Sequence, residues 1–309
     1  MIVEMKKFEE RFGISFVNIL SQCLRTRSMS GAVLEDLRRG LLRSYLKCLV
    51  KVIEQQLCSS TTSSMKFSWR LPRNLYLLEE RKTKLLSSTE EELEKRVILL
   101  PMKILDDLNI CEQRAILRAE PHLSGKPTTQ QELGKRWWSK KREKYSRLIC
   151  SVMKNIGLVH DVWSEHSVML TYVGNNVAIN LMGLSDMVVF MSLKCSNDYI
   201  PLMLLFEFTI YREVSNIIDR VIAYSSTLYN KYGFLTIPII TVIKELYEDL
   251  VERIILLMNI NKTGTVYHLL LRLKKLEKLL SGELEPKHAS QEICYQCDAE
   301  LRRRCIFYH

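Results

Sequence analysis

From Val33 to Leu57 apolar residues recur at Leu34, Leu37, Leu41, Leu42, Tyr45, Leu46, Leu49, Ile53 and Leu57. That spacing keeps one side of a helix apolar, with Arg38, Arg39, Arg43, Lys47 and Lys51 off the seam, and it predicts an amphipathic helix. The polar tract SSTTSS at 59–64 reads as a loop. TEEE at 89–92 offers Thr89 as an N-cap with Glu92 three residues on, a capping box. Residues 1–97 therefore read as a helical N-terminal region. The stretch LPMKILDDLNICEQRAILRAE, starting at Leu100, continues in helical period and carries Cys111 among Ile104, Leu108 and Ile116.

From about Ser167 the pattern changes. SVMLTYVGNNVAINLMGLSDMVVFMSL and YIPLMLLFEFTIY are β-rich runs divided by Gly-Asn and Ser-Asn-Asp turns, and they predict strands. SNIIDRVIAYSSTLYNKYG then reads as a helix, FLTIPIITVI as a strand, and ELYEDLVERIILLM and VYHLLLRLKKLEKLL as two helices. The result is a mixed α/β core without an internal repeat.

Composition adds charge to this picture. The 309 residues carry 45 Lys plus Arg against 35 Asp plus Glu, a net charge of +10, which serves either solubility or attraction to a polyanion such as nucleic acid. MIVEMKKFEERFG places acids where a signal peptide would be apolar, and no apolar run approaches a membrane span, so a cytoplasmic protein without membrane contact is expected. Nine cysteines cannot all pair, and in a reducing compartment clustered cysteines point to metal. The cluster is ICYQCDAELRRRC, Ile293 to Cys305; Cys23, Cys48, Cys58, Cys150 and Cys195 read as small buried hydrophobes.

Two acids stand out in this frame. Asp186 in LMGLSDMVVF and Glu207 in LMLLFEFTIY are each the lone acid of a strand fit for burial on both faces. Such a carboxylate costs several kcal/mol unless a cation or donor meets it. Two on successive strands make a site for Mg2+ or Mn2+, or else each pairs with an arginine or sits at a strand end. Arg220 and Tyr224, four residues apart, share a helix face, with Tyr229 and Tyr232 following. In KRWWSKKREKYSR, Arg136, Trp137, Trp138, Lys140, Lys141 and Tyr145 interleave cations with rings, either a nucleic-acid face or a solvated helix with its tryptophans inward.

In order along the chain, these pieces resemble the RecB-like nuclease family associated with CRISPR adaptation, a branch of the PD-(D/E)XK superfamily that carries an iron–sulfur cluster. LDDLNICEQRAILR resembles that family's first cysteine element through Cys111, and GLSDMV its Gly-x-x-Asp strand through Gly183 and Asp186. EFT resembles the Glu-x-Lys strand through Glu207, RVIAY the Gln-x-x-x-Tyr helix through Tyr224, and CYQCDAELRRRC the terminal trio Cys294, Cys297 and Cys305. The resemblance spans about Pro101 to His309 and departs at Thr209 (for lysine), Trp138 (for histidine) and Arg220 (for glutamine). The last cysteine interval, seven residues, is also long.

The resemblance implies an α/β, restriction-endonuclease-like mixed sheet flanked by helices. An extra N-terminal helical region would occupy 1–97, with a nuclease domain over 98–309 ending in an iron–sulfur-bound C-terminal segment. Asp186 and Glu207 would hold Mg2+ or Mn2+, Tyr224 would position the strand, and Cys111, Cys294, Cys297 and Cys305 would hold a 4Fe-4S cluster. Arg136, Trp137, Trp138, Lys140, Lys141, Arg220, Arg302, Arg303 and Arg304 would contact DNA that is single-stranded or has single-stranded ends. The implied activity is trimming of DNA ends before integration as CRISPR spacers, with the integrase as partner. The alternatives are a nuclease fold that has lost its chemistry and serves as a DNA-binding or assembly subunit, and a zinc-stapled interaction protein.

Overall fold

The computed structural model describes residues 2–4, most of 43–58, 75–76, 96–123, 143–154, 159–175, 177–195, 198–209, 214–244, 250–257, 263–287, 297 and 299–308. Among them one mixed sheet has eight strands. These are β1 (Ile2–Glu4), β2 (Leu75–Tyr76), β3 (Arg96–Pro101), β4 (Val159–Val173), β5 (Val177–Cys195), β6 (Asp198–Thr209), β7 (Leu235–Lys244) and β8 (Leu250–Leu257). Their order is β1-β8-β7-β6-β5-β4-β2, with β3 against β5; β3–β5 and β6–β7 run parallel, the other pairs antiparallel. The helices with defined bounds are α1 (Ile104–Ile110), α2 (Glu112–Leu123), α3 (Ile218–Tyr232), α4 (Thr263–Leu280) and α5 (Ala299–Arg304).

Both faces of the sheet are covered. On one, Leu100, Leu170, Ile179 and Leu181 pack with Leu105 of α1, Ile222 and Leu228 of α3 and Leu273 of α4. On the other, Met187, Val189, Leu204 and Phe206 meet Leu46, Leu49, Ile53 and Leu57, with Tyr145, Ile149 and Met153 of the helical segment 143–154. Of the apolar seam read from the sequence, Leu46, Leu49, Ile53 and Leu57 are buried and the rest lies outside the described residues, while Arg43, Lys47 and Lys51 are exposed. Each Leu or Ile so buried contributes about 1.5–3 kcal/mol. The N-terminal residues join the same sheet, β1 against β8 and β2 against β4, and position 97/98 falls inside β3. The 59–64 loop and the capping box at 89–92 lie outside the described residues.

Several elements differ from expectation. ELYEDLVERIILLM, read as a helix, supplies β8, because Val251, Ile254 and Ile255 suit a strand and both β7 and β1 offer it ladder partners. β4 starts at Val159, eight residues before the expected onset at Ser167, its polar first half hiding the strand. β3 shows period-two burial, Ile98 and Leu100 inside and Val97 and Leu99 exposed, within a region read as helical. Cys58 and Cys195 are not separate hydrophobes but a disulfide, Cα–Cα 5.2 Å, joining positions 137 apart. Packing of the 43–58 helix onto the sheet brings them together, a proximity that chain distance concealed.

One irregularity positions everything that follows. Along one edge β5 pairs with β3 from Val177 to Met182 and with β6 from Met187 to Cys195, so Gly183 to Asp186 bridge a change of partner. On the other edge the β4–β5 register is constant from Val173↔Ala178 to Asp161↔Phe190 and skips one position, where Glu165 stands opposite Asp186. Glu165 has φ 52°, a left-handed backbone rare outside glycine and asparagine. The inward alternation inverts across it: Ile179 and Leu181 face the α3 side before the kink, Val188 after it. GLSD is therefore a gap along one edge of a continuous strand, and its last residue is Asp186.

Candidate functional site

Where the ladder stops, side chains replace it. The Asp186 backbone N–H donates to Glu207 Oε1 at 3.1 Å, and the Phe208 N–H donates to Asp186 Oδ2 at 2.7 Å. Each acid thus caps the other's strand. From α3, Arg220 Nη1 donates to Glu207 Oε2 at 2.8 Å, and its Nε reaches both oxygens of Asp106 at 3.0 and 2.9 Å. Asp106 stands in the first turn of α1, delivered there because the Met102 N–H carries the β3–β5 pairing on to the Met182 carbonyl at 2.6 Å before the helix begins.

Three carboxyls are buried here: Asp106 is 1%, Asp186 5% and Glu207 0% exposed. Burial, then the charge of Asp186, hold the Glu207 carboxyl well above the usual range, with Arg220 pulling the other way. Burial likewise pushes Asp106 up to about 6 against the opposing pull of Arg220. Beside it Asp107 is ion-paired with Arg114 at 2.6 Å and Arg118 at 3.2 Å.

Tyr224 lies one turn beyond Arg220, buried, its hydroxyl donating to the Leu184 carbonyl at 3.3 Å. Burial, then the nearby Glu207 charge, raise its pKa, so the phenol stays a protonated donor. Its place depends on Gly183, where a Cβ would lie 2.4 Å from the Tyr224 hydroxyl oxygen. We expect Gly183→Ala to displace Tyr224 and destabilise by about 1–3 kcal/mol. Tyr224→Phe in the same chain should recover part of the loss in a denaturant titration.

Five residues after Asp106 comes Cys111, in extended backbone between α1 and α2, its N–H donating to the Asp107 carbonyl at 2.8 Å. Cys111, Cys297 and Cys305 line one cavity together with Arg114, Leu117, Leu301, Arg302 and Tyr308. None of the three is in a disulfide. Cys294 lies outside the described residues. The tail is tied to α2 by the Lys287 N–H on Glu112 and by Arg304 on Glu120, and Lys275 of α4 also pairs with Glu112. Among the described residues no three His, Cys, Asp or Glu side chains stand close enough to hold one ion.

The remaining expected site residues separate into three groups. Arg136, Trp137, Trp138, Lys140, Lys141 and Gly134 lie outside the described residues, as does Arg212. Arg220 faces inward onto two carboxylates, its side chain 15% exposed. Arg302 borders the cysteine cavity over the Tyr308 ring, Arg303 is exposed, and Arg304 is ion-paired. Thr209 is buried on the face of Glu207, two residues on, and the nearest upstream lysine of β5, Lys194, sits at the far end of that strand opposite Tyr199. Asp106 was not foreseen, because an acid in a helix's first turn reads as a complement to the helix dipole.

No family model matches the chain, and no curated protein matches it. Among solved structures it is similar to one described as a "putative exonuclease" from Eubacterium rectale, at 11% identity and a TM-score of 0.37, covering 68% of this chain and 88% of that one. It is also similar to a protein designated SSO0001, at 12% identity and a TM-score of 0.36, covering 75% and 95% of the two chains. Superpositions this loose decide neither fold family nor activity. No described helix is long and apolar enough to cross a membrane.

Proposed function

We propose that the chain is a metal-dependent, exonuclease-like DNA nuclease whose reacting centre is built on Asp186 and Glu207. One observation carries the reading: the two acids meet in the gap where β5 changes partner, each accepting an N–H from the other's strand, with Asp106 drawn in by Arg220. Stability does not call for such a cluster, since a well-packed apolar replacement for buried ion pairs is often neutral or better. Carboxylate oxygens suit Mg2+ or Mn2+, and the mutual repulsion of Asp186 and Glu207, which Arg220 offsets only in part, is what a divalent cation relieves. Asp186 and Glu207 would hold the ion, which when bound supplies an activated water and stabilises the oxygen leaving the phosphodiester.

The chain's own residues fix the donors. The Phe208 N–H aims Asp186, while the Asp186 N–H and Arg220 aim Glu207; Tyr224 secures the Leu184 carbonyl within the same GLSD turn. The motif order adds a substrate and a setting: DNA ends, single-stranded or with single-stranded tails, trimmed in the cytoplasm before integration, with a CRISPR integrase as partner. The test is incubation of the purified protein with Mn2+ and end-labelled single-stranded DNA. Cleavage that requires the metal supports this reading.

Arg220 favours a second one. Its guanidinium supplies a built-in cation 2.8 Å from the Glu207 oxygen that a metal would need, as expected of a nuclease fold turned to DNA binding or assembly. DNA binding without cleavage at any Mn2+ concentration would select it.

For the cysteines the proposal is a 4Fe-4S cluster held by Cys111, Cys297 and Cys305, with Cys294 as the fourth ligand. Its support is the convergence of three thiols from sequence positions nearly two hundred apart on one cavity. Anaerobically purified protein should contain iron and acid-labile sulfide near one cluster per chain, lost in Cys111→Ser. Zinc in their place would identify a zinc staple instead.

A further inference from the structure

A second constellation lies along α3 from the carboxylates and takes no part in holding them. Arg220, Tyr224, Leu228 and Tyr232 recur every four residues, a ridge that winds gradually around the helix, and Tyr232 stands about 18 Å along the axis from Arg220. The Tyr232 hydroxyl and His166 Nε2 are 3.0 Å apart. The His166 ring stacks on Trp163, centroids 5.0 Å apart and planes 29° apart, and Trp163 lies 5.2 Å from the Tyr232 ring. Trp163 is held in turn by Asp161, whose Oδ2 accepts the indole N–H at 2.6 Å while Oδ1 accepts the Val162 N–H at 2.8 Å. Lys231 places its ammonium 5.4 Å from the Tyr232 ring centroid.

Trp163 and Tyr232 pack against the core on one side, and two features argue that the cluster is also a built surface. All three rings are half-buried, so each keeps a solvent-facing side while its polar edge is tied to a partner. Trp163 and His166 also flank Glu165, the left-handed residue opposite Asp186, and His166 pairs across the sheet with Ser185, so the rings stand on the strand next to the one that carries Asp186. Rigid aromatic faces next to a cation are what unpaired bases stack on, and such stacking is tolerant of sequence because every base has a π face.

We propose that Trp163, His166 and Tyr232 form a nucleobase-stacking platform that seats the single strand of a DNA end leading to Asp186 and Glu207. The proposal rests on the nucleic-acid reading of the carboxylate site and adds the strand state it selects. The test compares wild type, Trp163→Leu, Trp163→Phe and Asp186→Asn, by anisotropy with a labelled oligothymidylate and a blunt duplex in EDTA, and by cleavage in Mn2+. Trp163→Leu keeps apolar packing without the π face and is expected to weaken oligothymidylate binding about tenfold or more; Trp163→Phe should restore most of it, and duplex binding should be unchanged in both. His166→Ala gives the same readout if Trp163→Leu melts early. A Leu variant that binds the single strand as wild type does, an equal loss on duplex, or a wild type that binds no single strand would each overturn the platform. None of these touches the cleavage loss expected of Asp186→Asn. Conversely, a selective single-strand defect in a chain that never cleaves would uphold the platform and overturn the nuclease reading.

Discussion

Asp186→Asn is expected to lower Mn2+-dependent cleavage by about three orders of magnitude while leaving the fold in place. The substitution is nearly isosteric, and its side-chain oxygen can still accept the Phe208 N–H now donated to Asp186 Oδ2 at 2.7 Å. What it removes is a negative charge, and with it both the repulsion that raises Glu207 and the hard donor a divalent ion needs. Stability should therefore hold or rise as activity falls. Glu207→Gln is a poorer probe. Its Oε2 accepts from Arg220 Nη1 at 2.8 Å and its Oε1 from the Asp186 N–H, so an amide nitrogen at either place meets a donor. A gel assay on end-labelled DNA, paired with urea unfolding of each variant, separates the two effects. Full cleavage by Asp186→Asn would remove that acid from the chemistry, and activity untouched by loss of both acids would point to a contaminant.

The parts of the site that were legible in the sequence share one property: they break a local pattern. Asp186 and Glu207 are conspicuous because their strands are otherwise apolar, and the structure places them against each other at the gap in the β5 ladder. Cys111 and the terminal cysteines were grouped by motif order, and three of them do line one cavity. What was not legible depends on partners distant in sequence. Asp106 is one of two adjacent acids at a helix start, and only the 114-residue reach of Arg220 distinguishes it from Asp107. The Cys58–Cys195 bond requires knowing that the 43–58 helix packs on β5. The strand in ELYEDLVERIILLM depends on two neighbours, β7 and β1, that no window around it contains. Arg220 reads from spacing as a surface cation, and its inward turn follows from burying three carboxyls in its path.

That inward turn makes Arg220→Ala the most destabilising of the changes considered, by about 3–5 kcal/mol at pH 7, because it leaves Asp106 and Glu207 buried without their shared cation. The sign of the pH dependence follows from the folded-state carboxyls. Asp106 sits at about 6 against a reference of 3.8, chiefly through burial, so the folded chain holds a proton there that the unfolded chain has released. Its stabilising contribution is fully present below about pH 4 and is lost as pH rises through about 6, a change of about 3 kcal/mol at most. Glu207, raised in the same direction, adds to the slope. The measurement is the difference in unfolding free energy between wild type and Asp106→Asn from pH 4 to 7 in EDTA, which cancels the titration of groups not coupled to Asp106 and leaves that of Asp106 with the coupled part of Glu207. The wild type should lose stability relative to Asp106→Asn as pH rises across that window. In Arg220→Ala the loss should begin at the same pH but continue to higher pH, since the guanidinium is what pulls the folded-state Asp106 down, and adding Asp106→Asn to Arg220→Ala should recover part of the stability. A flat difference would mean that Asp106 is solvated in solution, and Arg220 would then be free to leave Glu207 when a metal ion arrives.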